Sequence, residues 1–472
     1  MGEPLMVSNR TFDEIEIGES ASFERVITKE DIELYAAVSG DANPMHLDEA
    51  FARQARFQGV VAHGMLTAGL ISNLLGNKLP GPGTIHVGQD LRFSAPVRAG
   101  DTITVSVTAK EKDPERKLVR FDCACINQDG RPVLTGVATV LAPTERLVAP
   151  ARELPEIRLQ RHDSYRRLIE RTNEIPPIPC AVAHPCDEPS LHGVVEAAEK
   201  GIIVPILVGP AGKIRAVARE HALDIASFEL VDAPHSHAAA AKAVELVRAG
   251  KAELLMKGSL HTDELMHEIV AKETGLRTER RISHVFIMDV PTYPDPLFIT
   301  DAAINIFPDL ETKADIVRNA IDLHRGLGLG EPRVAILSAV ETVNPKIPGT
   351  IDAAALCKMA DRGQIKGGFL DGPLALDNAI SPEAARIKGI ASPVAGHAQI
   401  LVVPDLEAGN MLAKNLSFLA NADAAGIVLG ARVPVILTSR ADNVRTRLAS
   451  CAVAALYAHS RRQQQVAAVA AE

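Results

Sequence analysis

Apolar and polar positions alternate with a period of two along three stretches in the first third of the chain. Residues 101–107 (DTITVSV), 118–125 (LVRFDCAC) and 132–141 (PVLTGVATVL) are rich in Val and Thr, and turn residues separate them. This alternation predicts half-buried β-strands. Ahead of them, residues 63–79 carry a broad apolar face at helical spacing and predict one buried helix. A helix followed by a strand meander indicates an α+β domain in which the helix packs on an antiparallel sheet.

The pattern changes in the remaining 310 or so residues, where short apolar runs alternate with helical patterns. Strands buried on both faces of a parallel sheet typically read as such continuous runs, which here are 202–208, 334–337, 400–403 and 433–437. Helical patterns separate them at 213–222, 238–248 and 310–323. This order of elements predicts an α/β fold, and its length favours two lobes.

Composition shifts divide the chain into a first domain at 1–145 and a second at 163–462. The segment between them, 146–162, is rich in Pro and charge and has no period, which is typical of a linker. The tail at 463–472 is rich in Gln and Ala, and we expect it to fray.

Composition excludes several classes of protein. The formal net charge is −9, and there are 12 Phe, 4 Tyr and no Trp, whereas a nucleic-acid binder usually has a basic surplus with stacking aromatics. The sequence has no apolar run of membrane-spanning length and does not start like a secretory signal, so we expect a cytoplasmic protein without membrane or nucleic-acid partners.

The six cysteines are too sparse for a disulfide framework. Cys180, His184 and Cys186 lie close together, but no second ligand pair follows at metal-site spacing, so we interpret the cysteines as buried thiols and expect no metal.

The stretch from Asp41 to His46 (DANPMH) contains the most informative chemistry in the first domain. Its Asn43-Pro44 pair predicts a turn that brings the carboxylate and the imidazole into one small volume. Such a pair can hold a water and transfer a proton in general acid/base chemistry. The alternative is that the aspartates of this region cap the helix starting near Asp48 and that His46 lies on the surface.

Residues 12–141 resemble the MaoC-like hotdog dehydratases, especially the (R)-specific enoyl-CoA hydratases. The segments SGDANPMHLDEAFA, FQGVVAHGMLTAGLISNLLGNKLPGPGTI and LRFSAPVRAGDTITV carry the resemblance, in the family's order. The resemblance implies that Asp41 and His46 activate a water that attacks C3 of a 2-enoyl thioester. It also implies that the Gly64 backbone N–H binds the thioester oxygen, which suits a donor at a helix start.

Ser72 falls at the serine with which that family supports its catalytic pair. The alternative is a helix serine bonded to a preceding carbonyl. We interpret His63 as a packing residue rather than a second base.

Residues 163–462 resemble the phosphate acetyltransferase/phosphate butyryltransferase family. The resemblance is spread over many segments, among them VPILVGPAGKI, LRTERRISHVFIMDVP, ITDAAINIFPDLETKADIVRNAIDL, SAVETVNPKIPGTIDA and GGFLDGPLALDNAIS. The two resemblances together imply a multidomain chain: an α+β hotdog domain followed by a two-lobed α/β phosphotransacylase-like domain. The implied reaction of the second domain converts acyl-CoA and phosphate into acyl phosphate and CoA without a metal.

The resemblance places Ser439 and Arg440 at the reacting centre of that second domain, where Arg440 binds phosphate and Ser439 contacts the acyl group. At the spacing where the acetyl branch has a catalytic aspartate, this chain has Thr446, so Asp442 is the nearby candidate for the thiol proton. Its alternative role is to cap the last helix.

Lys257, Gly258 and Ser259 end a predicted strand of the second domain. Small residues there suit the close approach of a pantetheine chain. A tight turn with an exposed lysine is the alternative.

Both domains would act on CoA thioesters, so the leading hypothesis is a bifunctional enzyme with no tightly bound cofactor, whose ligands are acyl-CoA, CoA and phosphate. The fusion would raise the local concentration of a shared intermediate. The competing hypothesis is a hydratase whose second half only senses acyl-CoA and promotes oligomerisation. Both families imply a homo-oligomer, a dimer or larger, and an acyl phosphate product implies a partner acyl kinase.

Overall fold

The computed structural model describes residues 6–151, 154–155, 157, 159, 163–437 and 444–471. The chain forms two compact units, Met1–Leu159 and Gln160–Glu472. Across the described ranges, no helix is both long enough and apolar enough to cross a bilayer.

The first unit contains an antiparallel five-stranded sheet, a small two-stranded sheet and four helices in its described residues. The strands are β1 (Met6–Ser8), β2 (Ser20–Val26), β3 (Ile85–Phe93), β4 (Thr102–Asp113), β5 (Leu118–Ile126), β6 (Pro132–Leu141) and β7 (Val148–Pro150). The helices are α1 (Lys29–Ser39), α2 (Pro44–Leu47), α3 (Glu49–Gln54) and α4 (Gly64–Asn77). The order in the large sheet is β2-β4-β5-β6-β3, and β1 pairs with β7.

Alternating burial along β4 and β5 builds the core of this unit. Every second side chain of these strands is buried, and α4 adds Leu70, Ile71, Leu74 and Leu75 to the same cluster. The long helix α4 packed on an antiparallel sheet is the hotdog arrangement, which confirms the predicted α+β fold, the helix and the three strands.

Four strands of the first unit, β1, β2, β3 and β7, were not predicted. β3 is an edge strand whose residues are almost all exposed, so it lacks the alternation by which strands are recognised. β7 lies inside the segment that we expected to be a linker, where it pairs with β1. Asn9 holds this pairing in place: its side chain donates to the Glu145 carbonyl at 2.9 Å and accepts from the Leu147 N–H at 2.9 Å.

The second unit alternates strands and helices around one eleven-stranded sheet. Its strands are β8 (Ile178–Ala183), β9 (Ile203–Gly209), β10 (Glu229–Asp232), β11 (Leu254–Lys257), β12 (Ser283–Asp289), β13 (Leu297–Thr300), β14 (Arg333–Leu337), β15 (Phe369–Leu374), β16 (Ile400–Val402), β17 (Asp423–Leu429) and β18 (Val435–Ile436). Its helices are α5 (Asp163–Arg171), α6 (Glu188–Glu199), α7 (Ala211–Glu220), α8 (Ser236–Arg248), α9 (Thr262–Val270), α10 (Leu310–Gly326), α11 (Pro348–Asp361), α12 (Leu376–Ile380), α13 (Pro382–Ile387), α14 (Leu406–Leu419) and α15 (Val444–Ala471).

The sheet consists of two parallel blocks that run in opposite directions. The first block is β10-β9-β8-β11-β18 and the second is β13-β16-β14-β15. Between the blocks, β17 is antiparallel to both β18 and β12, and β12 is antiparallel to β13. The expected two-lobed α/β architecture is confirmed, but the sheet is mixed rather than wholly parallel, because short buried runs do not encode strand direction.

Neighbouring residues of one strand belong to different hydrophobic cores. Met256 packs in a cluster with α15, whereas Leu255 packs in a second cluster with α8. In the same way, Ile400 packs in the cluster with α15, and Leu401 packs in a third cluster. Because successive side chains of a strand point to opposite faces, one core covers one face of both lobes and each lobe has its own core on the other face.

The last helix extends further than expected. We expected 463–472 to fray, whereas α15 continues to Ala471. Its final residues are mostly Ala and Gln, which are good helix formers, and no Gly or Pro interrupts them.

All six cysteines are free thiols, and all but Cys357 are fully buried. Burial raises their pKa values above the ordinary range: to about 11 for Cys123 and Cys186, to about 12 for Cys125, Cys357 and Cys451, and well above it for Cys180. All but Cys357 are buried thiols, as expected, and a protonated thiol is a poor metal ligand.

Candidate functional sites

The turn at Asp41 forms between two short helices of the first unit. Helix α1 ends at Gly40, whose φ of 75° lies in the left-handed region and turns the chain sharply. The Asp41 carboxylate then accepts the Asn43 N–H at 3.3 Å, and the Asn43 side chain caps α2 by accepting the Met45 N–H at 3.1 Å. These local bonds bring a carboxylate oxygen of Asp41 and a ring nitrogen of His46 within 4.8 Å of each other.

One ring nitrogen of His46 is bonded to the backbone, and the other has no hydrogen-bond partner among the residues that the structure describes. Its Nδ1 lies 2.7 Å from the Val61 carbonyl oxygen. A carbonyl only accepts, so Nδ1 carries the hydrogen and Nε2 keeps a lone pair. A neutral imidazole with this tautomer can take a proton from a water molecule.

His63 adjoins this pair and is buried, with only 2% of its surface exposed. Its Nε2 lies 3.0 Å from the Asp41 main-chain oxygen and 4.0 Å from the Asp41 carboxylate. Its ring stacks on the His46 ring with centroids 3.8 Å apart. Sequence reasoning identified it only as a packing residue, because its partners precede it by 17 and 22 positions.

Gly64 begins α4 beside two cavities of the first unit. One, of about 410 Å³, has a largely apolar wall that includes His46 and Gly64, and the other, of about 240 Å³, includes Asp41, His46 and His63. The first N–H groups of a helix have no partner within it, so Gly64 can offer a donor here. A Cβ at Gly64 would lie 3.1 Å from the Phe93 ring, so a side chain here would press against that ring.

Ser72 lies apart from these groups. It is exposed on α4, eight residues beyond Gly64, which is about 12 Å along the helix axis. In the described part of the unit, it lines neither of the two cavities. Its supporting role stays a prediction.

Asp41, His46 and His63 also present three potential metal ligands within 4.8 Å of one another. The two imidazole rings are stacked with an angle of 29° between their planes, so their lone pairs lie in nearly parallel planes. Tetrahedral zinc needs lone pairs that converge on one point. The arrangement suits proton transfer better than metal binding.

In the second unit, Lys257, Gly258 and Ser259 leave the sheet at the carboxyl end of β11. Lys257 is buried, with 4% of its surface exposed. A Cβ at Gly258 would lie 2.5 Å from the carbonyl oxygens of Ala183 and His184. Backbone packing therefore requires a glycine here, whether or not a ligand also approaches.

Ser259 connects this strand end to the loop after β8. Its hydroxyl donates to the His184 carbonyl at 2.8 Å and accepts the Cys186 N–H at 3.2 Å. The His184 Nδ1 lies 3.0 Å from the same hydroxyl. Burial lowers the pKa of His184, and the nearby Lys213 ammonium lowers it further. Sequence reasoning considered His184 only as a metal ligand and missed this contact.

Strand β18 delivers the chain to the same edge of the sheet. It runs parallel to β11, with Leu255 opposite Val435 and Met256 opposite Ile436, so Leu437 continues beside Lys257. Ligands of α/β proteins gather at the carboxyl ends of parallel strands. The predicted residues Ser439, Arg440 and Asp442 follow directly and lie outside the described residues. Thr446 is buried in the first turn of α15.

After β13, the loop in the segment ITDAAINIF surrounds the Asp301 carboxylate with hydrogen-bond donors. Asp301 accepts the N–H groups of Ala303, Ile304 and Asn305 and the side-chain amide of Asn305. Burial raises the pKa of Asp301. Because its carboxylate is occupied by this loop, we interpret Asp301 as a residue that shapes the loop.

Comparison with known proteins separates the two units. Residues 236–455 match the family model of the phosphate acetyl/butaryl transferases, and residues 13–124 match the model of the MaoC like domain. A phosphate acetyltransferase of Rhizobium meliloti is 75% identical over 305 residues, which are 65% of this chain and 96% of that protein. The chain belongs to the phosphate acetyl/butyryltransferase family.

Further members of this transferase family match over the same part of the chain. A phosphate butyryltransferase of Clostridium acetobutylicum is 44% identical over 298 residues, covering 63% of this chain and 99% of that protein. A crystal structure of a branched-chain phosphotransacylase from Enterococcus faecalis is 32% identical with a TM-score of 0.53, covering 60% of this chain and 99% of that one. The transferase domain therefore follows a MaoC-like domain in one chain, as the resemblances implied.

Proposed function

We propose that the chain is a bifunctional acyl-CoA enzyme: the first unit hydrates trans-2-enoyl-CoA to (3R)-3-hydroxyacyl-CoA, and the second transfers a short acyl group between CoA and phosphate. The observation that carries the first activity is the His46 ring beside the Asp41 carboxylate, with Nδ1 bonded to the Val61 carbonyl and the ring lining a largely apolar cavity. Membership of the transferase family supports the second.

In the hydration step, Asp41 and His46 bind one water molecule. His46 Nε2 takes a proton as the water oxygen bonds to C3, and the double-bond electrons move toward C2 and the thioester oxygen. The Gly64 N–H stabilises the charge that develops on that oxygen. The proton then returns to C2, so that the elements of water are added and none is lost.

In the transfer step, a phosphate oxygen attacks the thioester carbonyl carbon, the C–S bond breaks, and the sulfur receives the proton that the phosphate releases. Arg440 binds the phosphate, Ser439 contacts the acyl group, and Asp442 passes the proton. Lys257 and Gly258 support this assignment, because β11 ends beside the strand that precedes these residues. CoA, acyl-CoA and phosphate are the ligands, and no tightly bound cofactor enters either step.

The competing hypothesis makes the second unit an acyl-CoA sensor without turnover. The relatives that this unit resembles over nearly their whole length are named as acyltransferases, which favours turnover. The proposal includes a homo-oligomer, a dimer or larger, whose mass light scattering would measure, and an acyl kinase that consumes the acyl phosphate.

Mass spectrometry of crotonyl-CoA and butyryl-CoA, each incubated with the protein with and without phosphate, tests both activities. We expect hydroxybutyryl-CoA in both buffers, and acyl phosphate with free CoA only where phosphate is present. Asp41→Asn should slow hydration by about 100-fold or more and leave transfer unchanged, and Arg440→Ala should do the reverse.

Two exposed substitutions serve as matched controls. Asp48→Asn keeps a side chain that can cap α3, and Arg362→Ala removes an arginine at the end of α11, so both should leave both activities intact. Hydration without any phosphate-dependent release of CoA would support the sensor hypothesis. Transfer without hydration would contradict the role of the first unit.

A further inference from the structure

His63 immediately precedes α4, where a polar side chain normally caps the helix. His235 does so at the start of α8, where its Nδ1 accepts the Ala238 N–H at 3.2 Å. His63 makes no such bond to α4. Its ring turns away from its own helix and toward the turn that contains Asp41.

The contact with Asp41 fixes the state of the His63 ring. Nε2 donates to the Asp41 main-chain oxygen at 3.0 Å, so this nitrogen carries the hydrogen. In the described residues, the buried Nδ1 has no hydrogen-bond partner. The orientation of the ring is therefore set by Asp41 and by packing, and the bond joins two segments that lie 22 residues apart.

The contact with His46 limits the motion of the catalytic ring. The two rings stack with centroids 3.8 Å apart, and the centroid of the Tyr35 ring lies 5.0 Å from that of His63. His46 Nδ1 donates a hydrogen bond to the Val61 carbonyl, and the stacked His63 ring restricts rotation of the His46 side chain. Together these two contacts fix the direction of the His46 Nε2 lone pair.

We propose that His63 is a positioning residue for the hydration reaction. It holds the Asp41 backbone through its Nε2–H and the His46 ring through stacking, so that both groups meet the same water molecule. A displacement of about 1 Å between reacting groups can cost about 100-fold in rate. This inference rests on the proposed hydratase function of the first unit.

Two substitutions separate the two contacts. His63→Gln keeps a donor that can reach the Asp41 carbonyl and removes the ring, whereas His63→Phe keeps a ring to stack on His46 and removes the donor. We expect each to lower kcat for crotonyl-CoA hydration about 10- to 100-fold with little change in KM. Phosphate-dependent transfer by the same protein should be unchanged. His86→Gln, on exposed β3, is the matched control.

A double-mutant cycle distinguishes positioning from general damage to the fold. If the ring of His63 acts through His46, then His63→Gln, which removes that ring, should cause little further loss in a chain that already carries His46→Gln. A purely structural role would give losses that multiply.

Full hydration by both variants of His63, a rise in KM alone, or multiplicative losses in the cycle would each overturn the positioning role. Absence of hydration by the unmodified protein would instead contradict the proposed function.

Discussion

Gly258 directly follows β11, at a point where two carbonyl oxygens fill the space of a side chain. The sequence suggested that a small residue here admits a ligand. The structure adds that backbone packing leaves no room for a Cβ at this position. Gly212, in the first turn of α7, differs in this respect, because a Cβ there would meet no atom within 4 Å.

Gly258→Ala should therefore destabilise the strand ends of β8 and β11 by about 2 to 3 kcal/mol, because the backbone must move apart. Gly212→Ala should have no such cost and should stabilise α7 by up to about 1 kcal/mol. Hydrogen exchange of peptides from these elements measures both. Equal protection of β11 in the two variants would contradict the packing argument.

His284 lies on β12 and is fully buried. Burial lowers the pKa of its ring from 6.5 to about 3. Between these values the unfolded chain binds a proton that the folded chain does not, so stability is lost as the pH falls below 6.5.

The expected loss attributable to His284 between pH 7 and pH 5 is about 2 kcal/mol. His284→Gln should remove this part of the pH dependence, and His221→Gln, at the exposed end of α7, should retain it. The measurement is the opening free energy of β12 by hydrogen exchange, corrected for intrinsic rates at each pH. A variant with the full pH dependence would show that another group is responsible.

The residues of the first site differ in how far the sequence reveals them. Asp41 and His46 are predictable because a local turn, built by Asn43 and Pro44, brings them together. The contact of His63 with Asp41 depends on how α4 packs, so no local pattern indicates it. Gly64 was identified through resemblance, and the structure adds that a Cβ there would press against the Phe93 ring.

At the scale of elements, helices α10 and α11 are joined by an ion pair with one buried end. Lys313 on α10 donates to Asp352 on α11 at 2.8 Å, and 7% of the lysine side chain is exposed. Lys358 and Asp361, within α11, form a pair at 2.6 Å that is mostly exposed. A buried cation that loses its partner costs far more than an exposed one.

Asp352→Asn should therefore reduce the stability of α10 and α11 by about 2 kcal/mol or more. Asp361→Asn should change it by less than about 1 kcal/mol. Hydrogen exchange of both helices at low and high salt separates the two cases, since added salt screens the exposed pair more strongly. Similar effects of the two substitutions would show that Lys313 finds another partner.

In the first unit, the elements that the sequence predicted are ones with a regular buried face. The predicted strands β4, β5 and β6 and the helix α4 all place regular apolar positions in one core. β3 and β7 bury little, and their pairing depends on partners distant in the chain. In the second unit, β12 and β17 were not among the predicted strands, and a strand buried on both faces has the same pattern in either direction, so their antiparallel pairing was not predictable.

At the scale of the whole molecule, each hydrophobic core belongs to one unit. One cluster contains residues between Phe12 and Ala142, and the other three contain residues between Tyr165 and Ala458. Division into two units with separate cores predicts that damage to one core leaves the other folded.

Leu74→Ala should destabilise the first unit by about 2 to 5 kcal/mol, because the side chain is 1% exposed in its core. We expect calorimetry to show that the unfolding temperature of the first unit falls while that of the second unit is unchanged. Transfer activity should survive heating that abolishes hydration. A shift of both transitions by the same amount would mean that the units unfold together.

The order of the eleven strands in the second unit could not be predicted from the sequence. Strand β18 lies between β11 and β17, which are far apart from each other in the chain.

The buried cysteines have a practical consequence at the bench. A thiol with a pKa of about 11 is ionised in only about 1 molecule in 10,000 at pH 7, and colorimetric thiol reagents attack the ionised form. The folded protein should therefore react slowly with such reagents, while CoA released into solution reacts at once. Transacylation can then be followed continuously by colour against a low background, and a rising background would itself report unfolding.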